Sequence, residues 1–588
     1  MHFVKLITNL IALGIQAVAS SLGHPPLHDL QISPAIHKIK HVVVIMQENR
    51  SFDTYFGTYP GVDGIPRKNG QITVCVPDPE HGDCIKPYLN EVDSNQGGPH
   101  GYVAALTDIN GGAMNGFVAS AEHEHEQRCR NTSLEPNCVT GEGAYREVMG
   151  YHDGSQIPNY WAYAKNFVLQ ERMFEPNKSW SLPAHLFEVS AWSARCPVFG
   201  NPMDCVNAVQ SPEPVPEFSP TGAEPNYDWT DVTYLLRKHH VSWKYFVFTG
   251  GEPECDINED IPCSAGGNLQ PTPEIWSPLP YFVDVREDGQ LPDIESINTF
   301  YADARAGTLP SVSWLAPDDR VSEHPPAGIS TGQAYVTTAI NAVMRSPDWS
   351  STAIFVSWDD WGGFYDNAVP PTVDQSGYGL RVPGLVISPY ARHGYIDRQI
   401  LSHDAYLKFI ENDFLEGERL NPATDGRPDS RPDVREELPI LGNLESDFNF
   451  NQPPTPPFLL PPDPQPWSIP TAFRLLTSGL RTRQAPAAQG GNLIARLTCT
   501  LRCQVSISGK VRLQGIASLA GVQIVPRTIS FSGTRAVAVH MRGLATDALR
   551  ARIAASHGAA QALLQVSAQQ VGAPSERTQA QLPIQLLP

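Results

Sequence analysis

The sequence is short of positive charge and of long apolar runs. Its 42 lysine and arginine residues stand against 62 aspartate and glutamate residues, so the formal net charge is -20. This acidic excess disfavours a general nucleic-acid-binding protein, because nucleic acid is itself an anion. Beyond the N-terminal segment, no apolar run is long enough to cross a bilayer, so the sequence predicts no transmembrane span.

The ten cysteines lack the CxxC spacing of zinc sites, and no adjacent histidine completes a ligand set. An even number at short spacings is typical of a chain oxidised outside the cytoplasm. The spacing favours a disulfide within each pair, although the sequence alone does not fix the connectivity. The five pairs are Cys75/Cys84, Cys129/Cys138, Cys196/Cys205, Cys255/Cys263 and Cys499/Cys503.

Residues 1–19 have the pattern of a secretory signal peptide. Lys5 precedes an apolar stretch, and Ala17-Val18-Ala19 supplies small residues for cleavage. The alternative interpretation is an amphipathic first helix. We therefore expect the protein to be secreted, into either the extracellular space or the periplasm.

Proline divides the rest of the chain in two. Nine prolines lie within residues 451–470, which predicts an extended, semi-rigid linker. Residues 471–588 carry thirteen basic and two acidic residues, a formal charge of +11. Their alternating, β-rich runs predict a small β-sandwich-like domain. This basic domain is expected either to bind an anionic cell-envelope surface or to dock onto the acidic part of the same chain.

Residues 36–450 alternate apolar strand patterns with helical patterns, which predicts an α/β domain with a parallel sheet covered by helices. The predicted strands are His41–Met46, Val241–Phe248, Ser311–Leu315, Ala353–Trp358 and Val382–Ser388. The predicted helices are Asn159–Asn166, Asp231–Lys238, Thr331–Met344 and His403–Leu415.

Oxygen ligands follow two of these predicted strands. Glu48 and Asn49 come after the first strand, and Asp359 and Asp360 follow Ala353–Trp358. In a parallel sheet both pairs would lie along the edge where open α/β sheets bind ligands. Crowded acids repel each other unless a cation lies between them. The pairs therefore indicate a divalent-cation site, with solvated turns as the alternative.

A hydroxyl and three histidines are further candidates for chemistry. Ser181 lies at a predicted helix start, beside Pro183, where free N–H groups attract an anion. It is either a nucleophile or a simple helix cap, and Ser179 competes for the same role. His100, His324 and His403 could hold phosphate oxygens or protonate a leaving group, or could be ordinary surface residues.

The string from His41 to Gly57, HVVVIMQENRSFDTYFG, resembles the opening motif of the bacterial phosphoesterase family, which contains secreted phospholipases C and a respiratory-burst-inhibiting acid phosphatase. Further matching motifs follow in the same order across about residues 36–415. They are Pro99-His100, Met149-Gly150-Tyr151, Ser181-x-Pro183, the Ser322–Pro326 string, Asp359-Asp360-x-Gly-Gly-Phe364-Tyr-Asp366 and the Arg381–Pro389 string.

The resemblance implies an alkaline-phosphatase-like α/β core with a divalent cation of unknown identity. Glu48, Asn49, Asp359 and Asp360 match metal-binding positions. Ser181 matches the nucleophile, His100 and His324 match histidines that contact phosphate, and His403 has a less defined role.

The sequence also departs from the family pattern. Many phospholipases C carry Thr-Asn-Pro-Asn-Arg where this chain has Ser181-Leu-Pro-Ala-His185, and Trp361 stands where many members have histidine. The expected function is a secreted metal-dependent hydrolase of phosphoric esters with phospholipase C-like activity. The alternatives are an acid phosphatase and a secreted surface-binding protein with a degenerate catalytic domain. An apolar rim for acyl chains would come from Trp358, Trp361, Phe364 and Tyr365; the alternative is that these aromatic residues belong to the core, as such residues more often do.

Overall fold

A computed structural model describes most of the chain. The described residues are 32–95, 97–123, 144–210, 226–248, 275–464, 475–476, 483–486, 492–513, 523–542, 551, 553–554, 560–570 and 573–587. The predicted signal peptide lies outside them. Among the described residues, no helix is both long and apolar enough to cross a membrane.

The first part is built on an eight-stranded sheet, which confirms the predicted α/β class. Its strands follow in the order β4-β3-β5-β1-β6-β7-β2-β8. In chain order they are β1 (His41–Gln47), β2 (Val168–Gln170), β3 (Trp243–Val247), β4 (Ile294–Ser296), β5 (Val312–Ala316), β6 (Thr352–Trp358), β7 (Gly384–Ile387) and β8 (Tyr395–Asp397).

Most of the sheet is parallel, as predicted, but one strand runs the other way. β4, β3, β5, β1 and β6 pair in parallel. β7 pairs antiparallel with both β6 and β2. Every residue of β6 is buried, and so is all of β1 except its first residue, as expected of central strands covered on both faces.

Helices cover the sheet, and the four predicted helices are confirmed to within a few residues. The helices with printed bounds are Phe52–Phe56, Tyr102–Ile109, Pro158–Asn166, Ser181–Ser190, Val232–Lys238, Val283–Glu287, Ile297–Ala306, Ile329–Arg345 and Asp404–Phe414. Residues 117–123 are also helical.

The insertions between these elements contain pairs of short strands. Two disulfides, Cys75–Cys84 and Cys196–Cys205, confirm two of the predicted pairings. Cys129/Cys138 and Cys255/Cys263 lie outside the described residues. Cys503 is disulfide-bonded. The short strands are Arg67–Lys68, Gln71–Ile72, Val76–Asp78, Asp83–Ile85, Tyr88–Leu89, Gly150–Tyr151, Met173–Phe174, Ala194–Arg195, Val206–Asn207 and Leu401–Ser402.

The second part is a β module with its own apolar core. Its longest strand, β11, pairs with β13 on one side and with β14 on the other, and its register shifts between Cys499 and Cys503. The core takes its side chains from these long strands. The strands are β9 (Leu475–Leu476), β10 (Arg483–Gln484), β11 (Asn492–Leu513), β12 (Gln523–Ile524), β13 (Arg527–Arg542), β14 (Ala560–Gln570) and β15 (Ala573–Leu586).

Candidate active site

The two acidic pairs meet at one edge of the sheet. β1 and β6 are parallel neighbours, and Gln47 pairs with Trp358 at their ends. The residues that follow therefore leave the sheet side by side. The backbone N–H of Asn49 donates to Asp359 Oδ1 at 2.8 Å, which ties the two loops together. All four predicted side chains, those of Glu48, Asn49, Asp359 and Asp360, are fully buried.

The turns after the strands depend on residues that tolerate left-handed backbone. Asn49 has a φ of 61°, and Gly362 also has a φ of 61°. A Cβ at Gly362 would lie 2.7 Å from the Asn49 carbonyl oxygen, so glycine is required there. The Gly362 N–H donates to Asp360 Oδ1 at 2.6 Å and fixes that carboxylate.

Ser181 brings its hydroxyl into this acidic cluster. It is the first residue of the helix Ser181–Ser190 and is fully buried. Its Oγ lies 3.1 Å from Glu48 Oε2 and 3.3 Å from Asp360 Oδ2, and it also contacts Asp359 Oδ2. Ser179, the competing serine, has no hydrogen-bond partner for its Oγ among the described residues. The structure therefore places Ser181 among the acids.

The donors around Ser181 fit a divalent cation. One hydroxyl proton cannot satisfy three carboxylates, and carboxylates this close repel one another unless positive charge lies between them. Both side-chain polar atoms of Asn49 are buried without a hydrogen-bond partner among the described residues. Carboxylate, amide and hydroxyl oxygens are typical ligands of hard divalent ions.

His185 joins the cluster, although in the sequence it is marked only by its departure from the family string. It lies one helical turn after Ser181, so both side chains share a helix face. Its Nε2 is 3.0 Å from Glu48 Oε1, and its Nδ1 is 3.2 Å from Glu188 Oε2. One ligand atom each from Glu48, His185 and Asp359 lies within 4.8 Å of the others. The i, i+4 spacing from Ser181 was the available signal.

His100 and His324 lie next to each other, with ring centroids 6.0 Å apart. Each Nδ1 is bonded to a backbone carbonyl, that of Gly98 at 2.8 Å and that of Pro325 at 2.7 Å. Because a carbonyl only accepts, Nδ1 carries the proton in the neutral ring and Nε2 is the basic nitrogen.

Backbone hydrogen bonds attach both histidine loops to the acidic loops. The Glu48 N–H donates to the Ser322 carbonyl at 3.0 Å, two residues before His324. The Gly98 N–H donates to the Gly362 carbonyl at 2.9 Å. The two predicted phosphate contacts therefore stand at the same edge of the sheet as the cluster.

His403 occupies a different position, beneath the end of β6. Its Nε2 lies 3.1 Å from the Trp358 carbonyl oxygen. Burial lowers the pKa of His403 to about 3, although the negative charge of Asp359 opposes that shift. The ring is therefore neutral at ordinary pH and donates to the backbone just before Asp359. This geometry favours a supporting role for His403 over proton transfer.

A further buried acid, Glu175, was not predicted. Its Oε1 accepts the Ser179 N–H at 3.1 Å. Burial, reinforced by the charges of Asp360 and Asp359, raises the pKa of Glu175 well above its usual range. Excess negative charge around the cluster therefore makes the Glu175 carboxyl group easier to protonate than a carboxyl group in water.

Comparison with known proteins finds similarity over most of the chain. The model of the Phosphoesterase family matches residues 39–415. A non-hemolytic phospholipase C of Burkholderia pseudomallei is 25% identical over 509 residues, covering 74% of this chain and 63% of its own. Phospholipase C A of Mycobacterium tuberculosis is 27% identical over 458 residues, covering 71% of this chain and 78% of its own.

More distant likenesses extend the comparison. Non-specific phospholipase C6 of Arabidopsis thaliana is 24% identical over 389 residues, covering 61% of this chain and 63% of its own. Among solved structures, a protein of the alkaline phosphatase superfamily from Vibrio parahaemolyticus covers 50% of this chain and 67% of its own, with 11% identity and a TM-score of 0.28. That score is too low to support an argument about the fold.

Proposed function

The chain belongs to the Phosphoesterase family, and on that premise we propose that it is a metal-dependent hydrolase that cleaves phosphodiesters in the manner of a phospholipase C, with Ser181 as nucleophile. The observation that carries the proposal is the position of the Ser181 Oγ. It lies within hydrogen-bond distance of carboxylates from two separate loops. A lone helix-capping serine needs no such surroundings.

Glu48, Asn49, Asp359 and Asp360, together with Ser181 and His185, are the residues that would hold the divalent cation. When bound, the cation neutralises phosphate oxygens and favours the ionised form of a neighbouring hydroxyl. The helix that begins at Ser181 adds N–H groups that favour the negative charge of a phosphate.

The residues of the site account for each proton transfer and for each bond that forms or breaks. Ser181 Oγ attacks phosphorus and passes its proton to one of the surrounding carboxylates, while the bond from phosphorus to the leaving alkoxide breaks. His324, in its protonated form, donates to that leaving oxygen from Nε2. His100 holds a non-bridging oxygen. Water then attacks phosphorus and gives a proton to His324 Nε2, while the bond from phosphorus to Ser181 Oγ breaks and Oγ takes back its proton from the carboxylate.

The relatives' names favour a phospholipid diester over a monoester as substrate. The predicted apolar rim for acyl chains does not support either choice. Trp358, Trp361 and Phe364 are fully buried, and Tyr365 is 4% exposed. These aromatic rings belong to the core beneath the site, so they do not present a surface to lipid chains.

The nucleophile is tested by comparing Ser181→Ala with Ser179→Ala. Both serines are buried and two residues apart, but the Ser179 Oγ makes no hydrogen bond among the described residues. We expect Ser181→Ala to lower turnover of phosphatidylcholine by at least about 10³-fold and Ser179→Ala to stay within a few-fold of the parent. Near-normal turnover in a folded Ser181→Ala protein would remove Ser181 from its role.

The substrate class and the metal are tested in the same assay. Phosphatidylcholine and a soluble aryl monophosphate are supplied in parallel, with and without a chelator. Preference for the diester supports the proposal, and preference for the monoester would make the protein an acid phosphatase. Activity that survives thorough chelation would rule out metal dependence, and absence of any hydrolysis would favour a binding protein.

The proposal also covers where the protein is located and what its basic C-terminal domain binds. The signal-peptide pattern supports export, and the charge of +11 in residues 471–588 supports binding to an anionic envelope surface. Sedimentation of the full chain with anionic vesicles tests this binding. Salt-sensitive co-sedimentation is expected, and its absence at low salt would favour docking of the domain onto the acidic part of the chain.

A further inference from the structure

A second group of metal-type ligands lies away from the candidate active site. Asp78 and His81 belong to a hairpin, Val76–Asp78 and Asp83–Ile85, that the Cys75–Cys84 disulfide closes. Glu122 comes from the helical residues 117–123. One ligand atom from each of the three side chains lies within 4.8 Å of the other two.

The two acids of this group lie close together. One oxygen of each carboxyl group lies within 4.8 Å of the other, so two negative charges there repel each other unless a proton or a cation lies between them. Glu122 is 8% exposed, and its Oε1 has no hydrogen-bond partner among the described residues. That buried oxygen is an unfilled ligand position beside the other two donors.

One positive side chain already reaches the group without filling it. Arg146 donates to Asp78 Oδ2 at 3.2 Å. The other oxygen of the same carboxylate, Oδ1, faces His81 Nδ1 at 2.9 Å. Arg146 therefore offsets one of the two acidic charges. The Tyr145 hydroxyl lies 2.9 Å from His81 Nδ1, and the His81 backbone N–H donates to Asp78 Oδ1 at 3.0 Å, so a bound ion would displace the contacts of Nδ1 and share Oδ1 with the backbone.

We propose that Asp78, His81 and Glu122 bind a divalent transition-metal ion of the zinc type. Two carboxylates and one imidazole suit zinc better than calcium or magnesium, which prefer oxygen ligands alone. Zinc bonds of about 2 Å hold ligand atoms no more than about 4 Å apart, so small side-chain rotations complete the site. His81 is exposed, which gives the ion a path from solvent and leaves room for a water ligand.

The ion would join the hairpin to the helical residues 117–123. Beneath them lies an apolar cluster that includes Val76, Phe117, Val118 and Trp361. Trp361 in turn lies against His100, with ring centroids 6.3 Å apart. Metal binding at the hairpin would therefore stiffen the layer behind one of the proposed phosphate contacts.

The experiment counts zinc ions by calorimetric titration of the full chain after chelation. The parent protein, His81→Ala and Glu122→Gln are compared in an Asp359→Ala background, which weakens binding at the candidate active site and leaves any remaining binding there the same in all three proteins. We expect the parent to take up one zinc ion at this group. Each variant should either lose that ion or bind it at least tenfold more weakly.

A matched control removes a different histidine–carboxylate contact. His239 Nε2 lies 2.6 Å from Glu418 Oε2, and His239→Ala should leave zinc binding unchanged. His81→Ala changes an exposed side chain and Glu122→Gln keeps the shape of its side chain, so one of the two should fold. Equal zinc binding in parent and variants, or an equal loss in the His239 control, would overturn the proposal.

Discussion

At the residue scale, the acidic cluster is organised around a histidine as well as a serine. His185 is fully buried between Glu48 and Glu188, so it must either ligate the cation or orient the Glu48 carboxylate. We expect His185→Gln to weaken divalent-cation binding by about 10- to 100-fold, the usual effect of removing a ligand's supporting partner. Calorimetric titration measures this, with His37→Gln, a half-exposed histidine bonded to Asp413, as control.

Unchanged cation affinity in His185→Gln would assign the ring a packing role only. Cation affinity also separates two roles of the Ser181 hydroxyl, those of nucleophile and of cation ligand. If Ser181→Ala loses turnover while retaining the cation, the hydroxyl is a nucleophile rather than an essential ligand.

Most of the candidate site was predictable one residue at a time, and two members were not. Glu48, Asn49, Asp359 and Asp360 follow apolar runs, and that local pattern is enough to locate them. His185 follows no such run, and its i, i+4 spacing from Ser181 was the available signal, because its neighbours in sequence are apolar and its acidic partners come from another loop or from the next helical turn. Glu175 could not be predicted from the sequence either, because its pKa depends on charges that only folding brings near it.

Glu323 is a buried residue whose effect on stability can be measured. Its carboxylate accepts hydrogen bonds from the hydroxyls of Tyr55 and Tyr160 and, at 3.1 Å, from the Trp358 indole. We expect Glu323→Gln to lower the free energy of unfolding by about 2–3 kcal/mol, because bonds to a charged acceptor are lost in a fully buried site. Urea unfolding measures the change.

The control for Glu323 is Glu295→Gln. Glu295 pairs with Lys244 at 3.0 Å with its side chain 30% exposed, so its loss should cost no more than about 0.5 kcal/mol. If the two variants are equally stable, the Glu323 carboxyl group is already protonated in the folded protein.

At the scale of elements, the sequence predicted where strands lie better than which way they run. β7 was expected to extend the parallel sheet, but it is antiparallel to β6. Residues 359–383 contain no helix, and a parallel return needs a crossover, usually helical, on one face of the sheet. The missing helical pattern between the two strands was therefore the clue to direction.

The helix Asp404–Phe414 has an acid in its last turn, which predicts a specific pH dependence. Burial, reinforced by Glu445 and opposed by Lys40, raises the pKa of Asp413 to about 8. The C-terminal end of a helix also disfavours a negative charge. Between pH 4 and pH 8 the folded protein thus binds a proton that the unfolded chain has lost, so stability falls as pH rises.

Asp413→Asn removes this titration and keeps the shape of the side chain. We expect the melting temperature to fall less between pH 5 and pH 8 in the variant than in the parent. Glu416→Gln, which changes an exposed acid just beyond the same helix, is the control and should follow the parent. An equally steep fall in Asp413→Asn would show that other groups dominate the pH dependence.

At the scale of the whole molecule, the proline-rich segment does more than separate two parts. Its composition predicts an extended chain, and residues 452–464 contain no helix or strand. They nevertheless lie along the first part, where Phe458 and Leu460 pack against the main core. Composition predicts the conformation of such a segment but not the surface it lies on, because proline-rich backbone is recognised through carbonyls that any donor can reach.

The donors that hold this segment come from helices distant in sequence. Asn341 Nδ2 donates to the Leu460 carbonyl at 2.7 Å, and Asn341 Oδ1 accepts the Leu460 N–H at 3.2 Å. Asn159 Nδ2 donates to the Pro461 carbonyl at 2.8 Å. The Trp349 indole donates to the Thr455 carbonyl at 3.0 Å. Residues up to 464 thus belong structurally to the phosphoesterase part.

Two changes test whether the segment stabilises that part. Asn341→Ala removes two of the four hydrogen bonds and should lower the free energy of unfolding by about 2 kcal/mol, at about 1 kcal/mol for each bond. Thr338→Ala, on the exposed face of the same helix, should change it by less than about 0.5 kcal/mol.

A chain ended after residue 464 should keep phosphoester turnover, whereas one ended after residue 450 should unfold at lower urea concentration. Equal urea midpoints for the two shortened chains would show that the segment is a passive connection, because the four hydrogen bonds and the packing of Phe458 would then contribute nothing measurable.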